Sequence, residues 1–199
     1  SQMNLMKAES PGPSVSRLAP TVRSTAKILY TIYLLMTVLE TVILLLCGMP
    51  IFDALTTAFG TAGTGGFGIK NDSMGGYSVT IQIVVTVFMI LFGINFNVYF
   101  LLLSKKWKQA LKNEEVRWYL AIILGAVLLI GWNIRGVYGS MGKAIQQAAF
   151  QVASIITTTG FATVDFNIWP EVSRTILVLL MFVGACAGST GGGIKVSRF

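Results

Sequence analysis

Two glycine-rich segments, each between apolar stretches long enough to cross a bilayer, most constrain the fold of this 199-residue chain. They cover residues 61–68 and 154–161. Because a short helix-like segment precedes each, the same unit is predicted to occur twice. Irregular backbone at membrane depth is tolerated only where protein buries it or where it lines a watery cavity, so the repeat suggests a pore. At an offset of 94 residues the two regions share four identities, Ala54/Ala148, Thr64/Thr158, Gly66/Gly160 and Phe67/Phe161.

The composition indicates a membrane protein. Hydrophobic residues make up 54% of the chain and charged residues 12%, whereas a soluble domain carries about 25% charged residues. Crossing the hydrocarbon core takes about 20 mainly apolar residues. We therefore predict an all-α membrane protein in which the sequence helix, pore helix, filter, helix occurs twice. The four apolar runs that serve as candidate spans are residues 28–47, 79–103, 118–134 and 175–194.

The positions of the basic residues predict the orientation of these spans. A net charge of +7 also suits a nucleic-acid-binding protein, but eleven of the fifteen Lys and Arg residues fall on one side if the spans alternate. Such a bias marks the cytoplasmic side. Both termini of this segment are therefore predicted to be cytoplasmic in a multi-pass protein of the cell membrane, with no nucleic acid as partner. The eleven residues are Lys7, Arg17, Arg23, Lys27, Lys105, Lys106, Lys108, Lys112, Arg117, Lys195 and Arg198.

A polar connector divides the chain into two similar parts. Short helices that cannot cross a membrane are predicted near residues 51–62 and 143–156. The chain does not begin with Met, so we expect it to be a piece of a longer polypeptide. We predict a cytoplasmic linker over 1–24, a first span–pore-loop–span unit over 25–104, an amphipathic cytoplasmic connector over 105–117 and a second such unit, truncated at its C-terminal end, over 118–199.

Backbone carbonyls of the glycine-rich segments are predicted to coordinate a monovalent cation. Rings of carbonyl oxygens can replace the hydration shell of such an ion, and glycine permits the left-handed backbone that this requires. A re-entrant helix leading into each segment points the negative end of its dipole at the ion. The alternative is that the glycines only permit close packing. The candidate residues form a first string, Gly63, Thr64, Gly65 and Gly66, and a second string, Thr157, Thr158, Thr159 and Gly160.

A further group of glycines lies at the end of the last candidate span. Gly184 and Gly188 have the spacing through which membrane helices pack closely. Three consecutive glycines, Gly191, Gly192 and Gly193, weaken a helix, so a break or flexible loop within the membrane is predicted there.

Polar residues inside the apolar runs give one candidate site and no catalytic centre. The chain contains no histidine, does not cluster acids within its spans and pairs no nucleophile with a base, so neither an enzyme nor a cofactor is expected. Glu40 lies inside the first candidate span, where an ionisable residue is a functional candidate. A structural hydrogen bond from Glu40 to the pore helix, or to Asn95 and Asn97, is an equally supported alternative.

Four stretches of residues carry a resemblance to a known family. From about Thr25 to its end the chain resembles the Trk/Ktr/HKT superfamily of potassium transporters, and within it the bacterial Trk/Ktr membrane subunit. The resemblance implies a potassium-channel-like pore built from four units in one chain, of which this sequence is similar to the second and third. The stretches are GMPIFDALTTAFGTAGTGGFG, GINFNVYF, TTTGFATVDFNIWP and GACAGSTGGGIKVSR, which begin at residues 48, 93, 157 and 184.

The resemblance also implies roles for particular residues. The family's filter positions correspond to the two strings, with Gly66 and Gly160 at its signature glycine. The expected function is K+ uptake through these filter carbonyls. The expected partners are membrane lipid, a second copy in a homodimer, and a cytoplasmic nucleotide-binding regulatory subunit at the connector. The family's intramembrane gate corresponds to Gly188, Ser189, Thr190, Gly191, Gly192 and Gly193.

Other functions stay open at this point. Gly63 and Gly65 stand where the second string has Thr157 and Thr159, so the symmetry of the filter is imperfect. Na+/K+ symport and non-selective cation conduction are therefore alternatives to selective K+ uptake. A scaffold subunit packed through its glycine faces is a third alternative, and it predicts no ion flux.

Overall fold

The structure is a computed structural model that describes residues 22–198, without the side chain of Val22. Most of the linker predicted over residues 1–24 lies outside the described residues. Two short 3₁₀ turns, Phe166–Ile168 and Val196–Arg198, accompany the α-helices. Within the described range no β-strand forms, and the α-helices are α1 (Val22–Leu46), α2 (Ile51–Ala62), α3 (Val79–Phe92), α4 (Phe96–Leu103), α5 (Trp107–Leu111), α6 (Glu114–Asn133), α7 (Arg135–Tyr138), α8 (Met141–Ile156) and α9 (Glu171–Phe182).

Two of the described helices, α1 and α6, are long and apolar enough to cross a membrane, and the pair α3 and α4 passes the same test if it is one span. The pair is bent by 92° between the two helices. The second candidate span, residues 79–103, is therefore broken. Gly93 lies at this bend, where an added Cβ would come within 2.9 Å of the Tyr119 ring carbon Cζ. Close packing of α6 against the bend thus requires glycine.

The fourth candidate span, residues 175–194, is helical only in its first half. Helix α9 has 12 residues and is about 18 Å long at 1.5 Å per residue. It ends at Phe182, so the break begins at Val183, before the three glycines at 191–193 where it was predicted. Val183 is extended (φ −95°, ψ 104°), and the chain returns so that the Gly184 N–H donates to the Ile194 carbonyl (2.7 Å). We call residues 183–194 the returning loop.

Gly184 packs within this loop. An added Cβ on Gly184 would lie 3.0 Å from the Gly193 carbonyl carbon. The expectation that Gly184 and Gly188 form a helix-packing stripe is therefore wrong, because neither residue belongs to a helix.

The two short helices, α2 and α8, bring the strings together. Helix α2 packs against α1 and α3, whereas α8 packs against α3, α6 and α9. Helix α8 therefore contacts both halves of the chain. A buried apolar cluster that includes Leu44, Met89, Phe150 and Phe161 joins the halves. Because burial of such side chains stabilises each by about 1.5–3 kcal/mol, this cluster holds the two halves of the chain together.

Candidate functional site

The two strings have the same backbone conformation at equivalent residues. Thr64 and Thr158 both have positive φ angles, 48° and 59°. The next such pair is Gly66 and Gly160, with φ angles of 66° and 92°. Left-handed geometry costs a non-glycine residue about 1–2 kcal/mol, so its occurrence at both threonines indicates that the surrounding contacts impose it. The sequence repeat is therefore also a repeat of backbone structure.

Each string is tied to its short helix in the same way. One carbonyl near the helix C-terminus accepts hydrogen bonds from two N–H groups of the string. In the first string, Gly65 and Gly66 donate to Gly60 (2.8 and 3.3 Å), and in the second, Thr159 and Gly160 donate to Ser154 (2.9 and 3.3 Å). The N–H groups are thus turned toward the helix.

The carbonyl groups of the strings are left without partners. No group in residues 22–198 donates a hydrogen bond to the carbonyl oxygen of any of the eight string residues. Most buried backbone carbonyls in proteins are paired. Gly63, Gly65 and Gly160 are exposed, but Thr157 and Thr159 are buried, so their unpaired carbonyls call for an explanation. Unpaired carbonyls at the C-terminal ends of two helices, where the dipole is negative, form a surface suited to a cation.

The two strings also contact each other. An added Cβ on Gly66 would lie 2.9 Å from the Gly160 carbonyl carbon. Just beyond the strings, the Met74 N–H donates to the Ala162 carbonyl (2.8 Å), and the Ala162 N–H donates to the Ser73 hydroxyl (3.2 Å). The two strings therefore lie next to each other.

The returning loop binds both strings at equivalent threonines. The Thr64 hydroxyl donates to the Thr190 carbonyl (3.1 Å), and the Gly192 N–H donates to the Thr158 hydroxyl (2.7 Å). An added Cβ on Gly191 would lie 3.3 Å from the Thr157 carbonyl oxygen. The loop thus covers the end of each string that adjoins its short helix.

The bend between α3 and α4 receives the other side of the loop. A helix break leaves carbonyls at one end and N–H groups at the other without helical partners, and the loop supplies three of the missing partners. These bonds are Cys186 N–H to Gly93 carbonyl (3.1 Å), Thr190 N–H to Phe92 carbonyl (3.4 Å) and Phe96 N–H to Gly188 carbonyl (3.0 Å).

Comparison with known proteins identifies the family. The sequence model of the TrkH family, described as cation transport protein, matches residues 2–199. The chain belongs to this family. It is 38% identical over 202 residues to the Trk system potassium uptake protein TrkH of Salmonella typhimurium and 34% identical over 201 residues to TrkG of Escherichia coli. The matches cover 98% of this chain but only 42% and 41% of those relatives.

A solved structure agrees with the fold. The crystal structure of the potassium transporter TrkH from Vibrio parahaemolyticus superimposes with a TM-score of 0.87 at 36% identity, over 98% of this chain and 43% of that one. The predicted resemblance to the Trk/Ktr/HKT superfamily and the predicted all-α membrane fold are thereby confirmed. The chain is a membrane protein of a cation transporter family and spans about two-fifths of the length of the relatives it matches.

Glu40 does not join the asparagines. It is fully buried, and its carboxyl faces the Thr61 side chain of α2. The Thr61 hydroxyl donates to the Thr57 carbonyl (2.8 Å), and neither carboxyl oxygen of Glu40 has a hydrogen-bond partner within residues 22–198. Asn95 instead caps α4, where its side chain accepts from the Asn97 N–H (2.9 Å). The predicted hydrogen bond from Glu40 to the pore helix or to the asparagines is therefore not observed among the described residues, although its carboxyl lies beside Thr61 of the pore helix.

A network of buried glutamines was not recognised in the sequence. The Gln82 amide donates to the Met74 carbonyl (3.1 Å), and its oxygen accepts from Gln146 (2.7 Å). Gln147 accepts from the Thr163 hydroxyl (2.5 Å). The network fixes the segments that follow both strings against α3 and α8. Glutamines spaced one and four apart at 146, 147 and 151 of a short helix were the available signal.

The segment after the first string is anchored to the beginning of α2. The Tyr77 hydroxyl donates to the Asp53 carboxylate (2.6 Å), and the Lys70 ammonium lies 4.0 Å from the centre of the Tyr77 ring. Burial and the neighbouring Asp53 raise the pKa of Tyr77 above its ordinary value, so the hydroxyl keeps its proton and remains a donor at neutral pH. This anchor holds the chain beyond the string.

Proposed function

We propose that this chain forms two adjacent parts of a K+-selective uptake pore in the cell membrane. The observation that carries the proposal is the set of eight unpaired carbonyl groups on two strings of matching backbone conformation. Carbonyl oxygens arranged around an axis can replace the water of a monovalent cation. The ends of α2 and α8, each equivalent to about half a negative charge, add to the attraction.

Selectivity in this proposal depends on backbone and not on charged side chains. None of the eight string residues is ionisable. Tyr77, which anchors the segment after the first string, is neutral. A filter of fixed carbonyl dipoles discriminates by the number and spacing of its oxygens. Both strings are held by hydrogen bonds to their helices and by direct contact with each other, which fixes the spacing of their carbonyl oxygens. A fixed spacing favours selective K+ uptake over non-selective conduction.

Further copies of the unit complete the pore. Phe161 is 1% exposed because it packs on Gly60 of the other half, where an added Cβ would lie 2.9 Å from the Phe161 ring. Its equivalent, Phe67, is 83% exposed. An equivalent neighbour beyond Phe67 is therefore expected, in keeping with the larger size of the relatives. This supports a ring of four units in the full-length protein.

The returning loop is proposed to be the gate. It binds Thr64 and Thr158 at the inner end of both strings, where an ion leaving the filter would have to pass. The loop lacks regular structure and contains five glycines between Gly184 and Gly193, so it can change conformation at low steric cost. Its removal from the strings would open the path.

The proposed assembly follows the resemblance to the family. Lipid surrounds the exposed apolar faces of α1 and α6, a second copy forms a homodimer, and a cytoplasmic nucleotide-binding regulatory subunit contacts the connector over residues 105–117. The connector contains α5, which carries exposed lysines at its ends. A basic cytoplasmic surface suits an acidic partner.

Ion flux into liposomes that contain the full-length protein tests the proposal. We expect K+ uptake with discrimination against Na+, and we expect Gly66→Ser to lower the K+/Na+ flux ratio by about tenfold or more, because a side chain there enters the contact with Gly160. Tenfold corresponds to about 1.4 kcal/mol. Gly139→Ser is the matched control, since Gly139 has a φ angle of 65° like the 66° of Gly66 but open space around it. Absence of flux in the folded protein would favour the scaffold alternative, and an unchanged ratio in Gly66→Ser would refute the filter assignment.

A further inference from the structure

The acidic residue Glu115 makes a contact that the family resemblance does not explain. One of its carboxylate oxygens accepts a hydrogen bond from the Ala187 N–H (2.6 Å), across 72 positions of sequence. Ala187 lies in the middle of the returning loop and is buried. Glu115 is the second residue of α6 and falls within the connector over residues 105–117. A single charged side chain thus joins the cytoplasmic connector to the loop.

Glu115 does not cap the helix in which it lies. An acid in the first turn of a helix is favourable because it interacts with unpaired N–H groups. At α6 the side chain of Asn113 performs this capping, since it accepts from the Val116 N–H (3.1 Å). Glu114, beside Glu115, is exposed. Glu115 is therefore available for the loop and is not needed as a cap.

A basic residue holds the other side of the same loop. The Lys195 ammonium donates to the Gly191 carbonyl and lies 3.5 Å from the Gly192 carbonyl. Glu115 and Lys195 are also close enough to interact electrostatically. The loop backbone thus donates a hydrogen bond to the Glu115 carboxylate and accepts hydrogen bonds from the Lys195 ammonium. Charge-assisted hydrogen bonds of this kind are about twice as strong as neutral ones.

We propose that Glu115 is a positioning residue that latches the returning loop in its closed conformation and transmits movement of the connector to the gate. This inference rests on the proposed function, in which the loop blocks the ion path. When the connector moves, the Glu115 carboxylate leaves Ala187 and the loop loses its anchor on the cytoplasmic side. The loop is then held only by its bonds to Thr64 and Thr158, to the bend between α3 and α4 and to Lys195.

Flux measurements on the full-length protein test the latch. Losing a hydrogen bond to a charged group shifts an equilibrium by about tenfold or more, so we expect Glu115→Ala to raise K+ flux by about tenfold with an unchanged K+/Na+ ratio. Glu115→Gln keeps an accepting oxygen without the charge and should give an intermediate flux. Glu114→Ala is the matched control and should behave as the wild type. Equal flux in Glu115→Ala and Glu114→Ala would overturn the latch.

Labelling of Cys186 gives a readout that does not depend on transport. Cys186 precedes Ala187 and is fully buried, so release of the loop should expose its thiol. In protein whose other cysteines are replaced, we expect a cytoplasmic thiol reagent to label Cys186 about tenfold faster in Glu115→Ala than in Glu114→Ala. Equal labelling rates would overturn the proposal even if flux changed for another reason.

Deletion of Gly191, Gly192 and Gly193 separates failure of the latch from failure of the gate. If the deletion raises flux but Glu115→Ala changes neither flux nor labelling, the loop is the gate and Glu115 is not its latch. If Glu115→Ala speeds labelling while neither variant alters flux, Glu115 holds the loop but the loop is not the gate. The second outcome would support the latch contact and refute the proposed function of the loop.

Discussion

Replacing Ser154 with Ala should weaken the second string at one defined point. The Ser154 hydroxyl donates to the Phe161 carbonyl (2.5 Å) and accepts from the Gly160 N–H (3.1 Å), and Ser154 is 1% exposed. Leaving a buried hydrogen-bonding group without its partner costs about 1–3 kcal/mol. The Gly160 N–H retains its bond to the Ser154 carbonyl (3.3 Å), so only the Phe161 carbonyl loses its partner entirely. We therefore expect Ser154→Ala to lower the free energy of unfolding by about 2 kcal/mol.

The effect on selectivity follows from which residues the hydroxyl connects. Gly160 has a φ angle of 92°. The Ser154 hydroxyl accepts from the Gly160 N–H and donates to the carbonyl of the next residue, Phe161, so it bridges these two residues. Once this bridge is lost, the Gly160 carbonyl can adjust to a smaller ion. If about 1.4 kcal/mol of the loss appears as a difference between K+ and Na+ binding, the flux ratio falls about tenfold. Paired K+ and Na+ flux measurements in liposomes give this ratio directly.

Ser173 provides the control for this substitution. It is fully buried, and its hydroxyl donates to the Asn133 side chain (2.7 Å), which joins α6 and α9 away from both strings. Ser173→Ala should therefore lower thermal stability to a similar extent and leave the K+/Na+ ratio unchanged. The reasoning is refuted if Ser154→Ala is destabilised but keeps the wild-type ratio, or if both variants lose selectivity equally.

Two other predictions concern the glutamine network and the orientation of the chain in the membrane. Gln82→Leu should lower the thermal stability of the purified protein by about 2–3 kcal/mol, since it leaves buried partners unpaired; stability equal to the wild type would show that the glutamine network is dispensable. Cysteines placed at Asn71 and Asn167 should react with an impermeant reagent from outside and one at Lys108 only from the cytoplasm, whereas outside labelling of position 108 would contradict the orientation.

Local patterns in the sequence were sufficient for the two short helices and the strings. Pro50 precedes α2, and glycine ends it at Gly63, so the predicted bounds of 51–62 coincide with the observed helix Ile51–Ala62. The second short helix begins at Met141, two residues before its predicted start. The equivalence of the two strings was also visible, since identical residues recur at a fixed offset.

Breaks in the longer helices depend on tertiary contacts as well as on local sequence. Residues 79–103 carry no charge and read as one span, although Gly93 and the capping residue Asn95 stand at the bend. The bend is stabilised by Tyr119 packing against Gly93 and by the loop that occupies it. At the second break, Val183 has no helix-breaking character of its own. It leaves α9 because Gly184 pairs with Ile194.

The residues that position the site were harder to predict than the strings themselves. Glu115 was seen only as part of a charged connector, because its partner Ala187 is distant in sequence and offers a backbone N–H that every residue type carries. The partners of Gln82 are likewise mostly backbone carbonyls. A side chain that binds backbone leaves no complementary residue type for sequence analysis to find.

The bend in α3 and α4 and the returning loop are best understood as one structure. At membrane depth each unpaired backbone group is costly, yet a helix break creates several. Here the carbonyls of Phe92 and Gly93 and the N–H of Phe96 are paired with the loop. A loop that moved alone would leave these three groups unpaired, at about 1–3 kcal/mol each. Opening that keeps them paired must carry α4 with the loop, and α4 leads through α5 to Glu115. The connector, the bend and the loop therefore form a closed chain of contacts, so opening of the loop with these three bonds intact must also displace the bend.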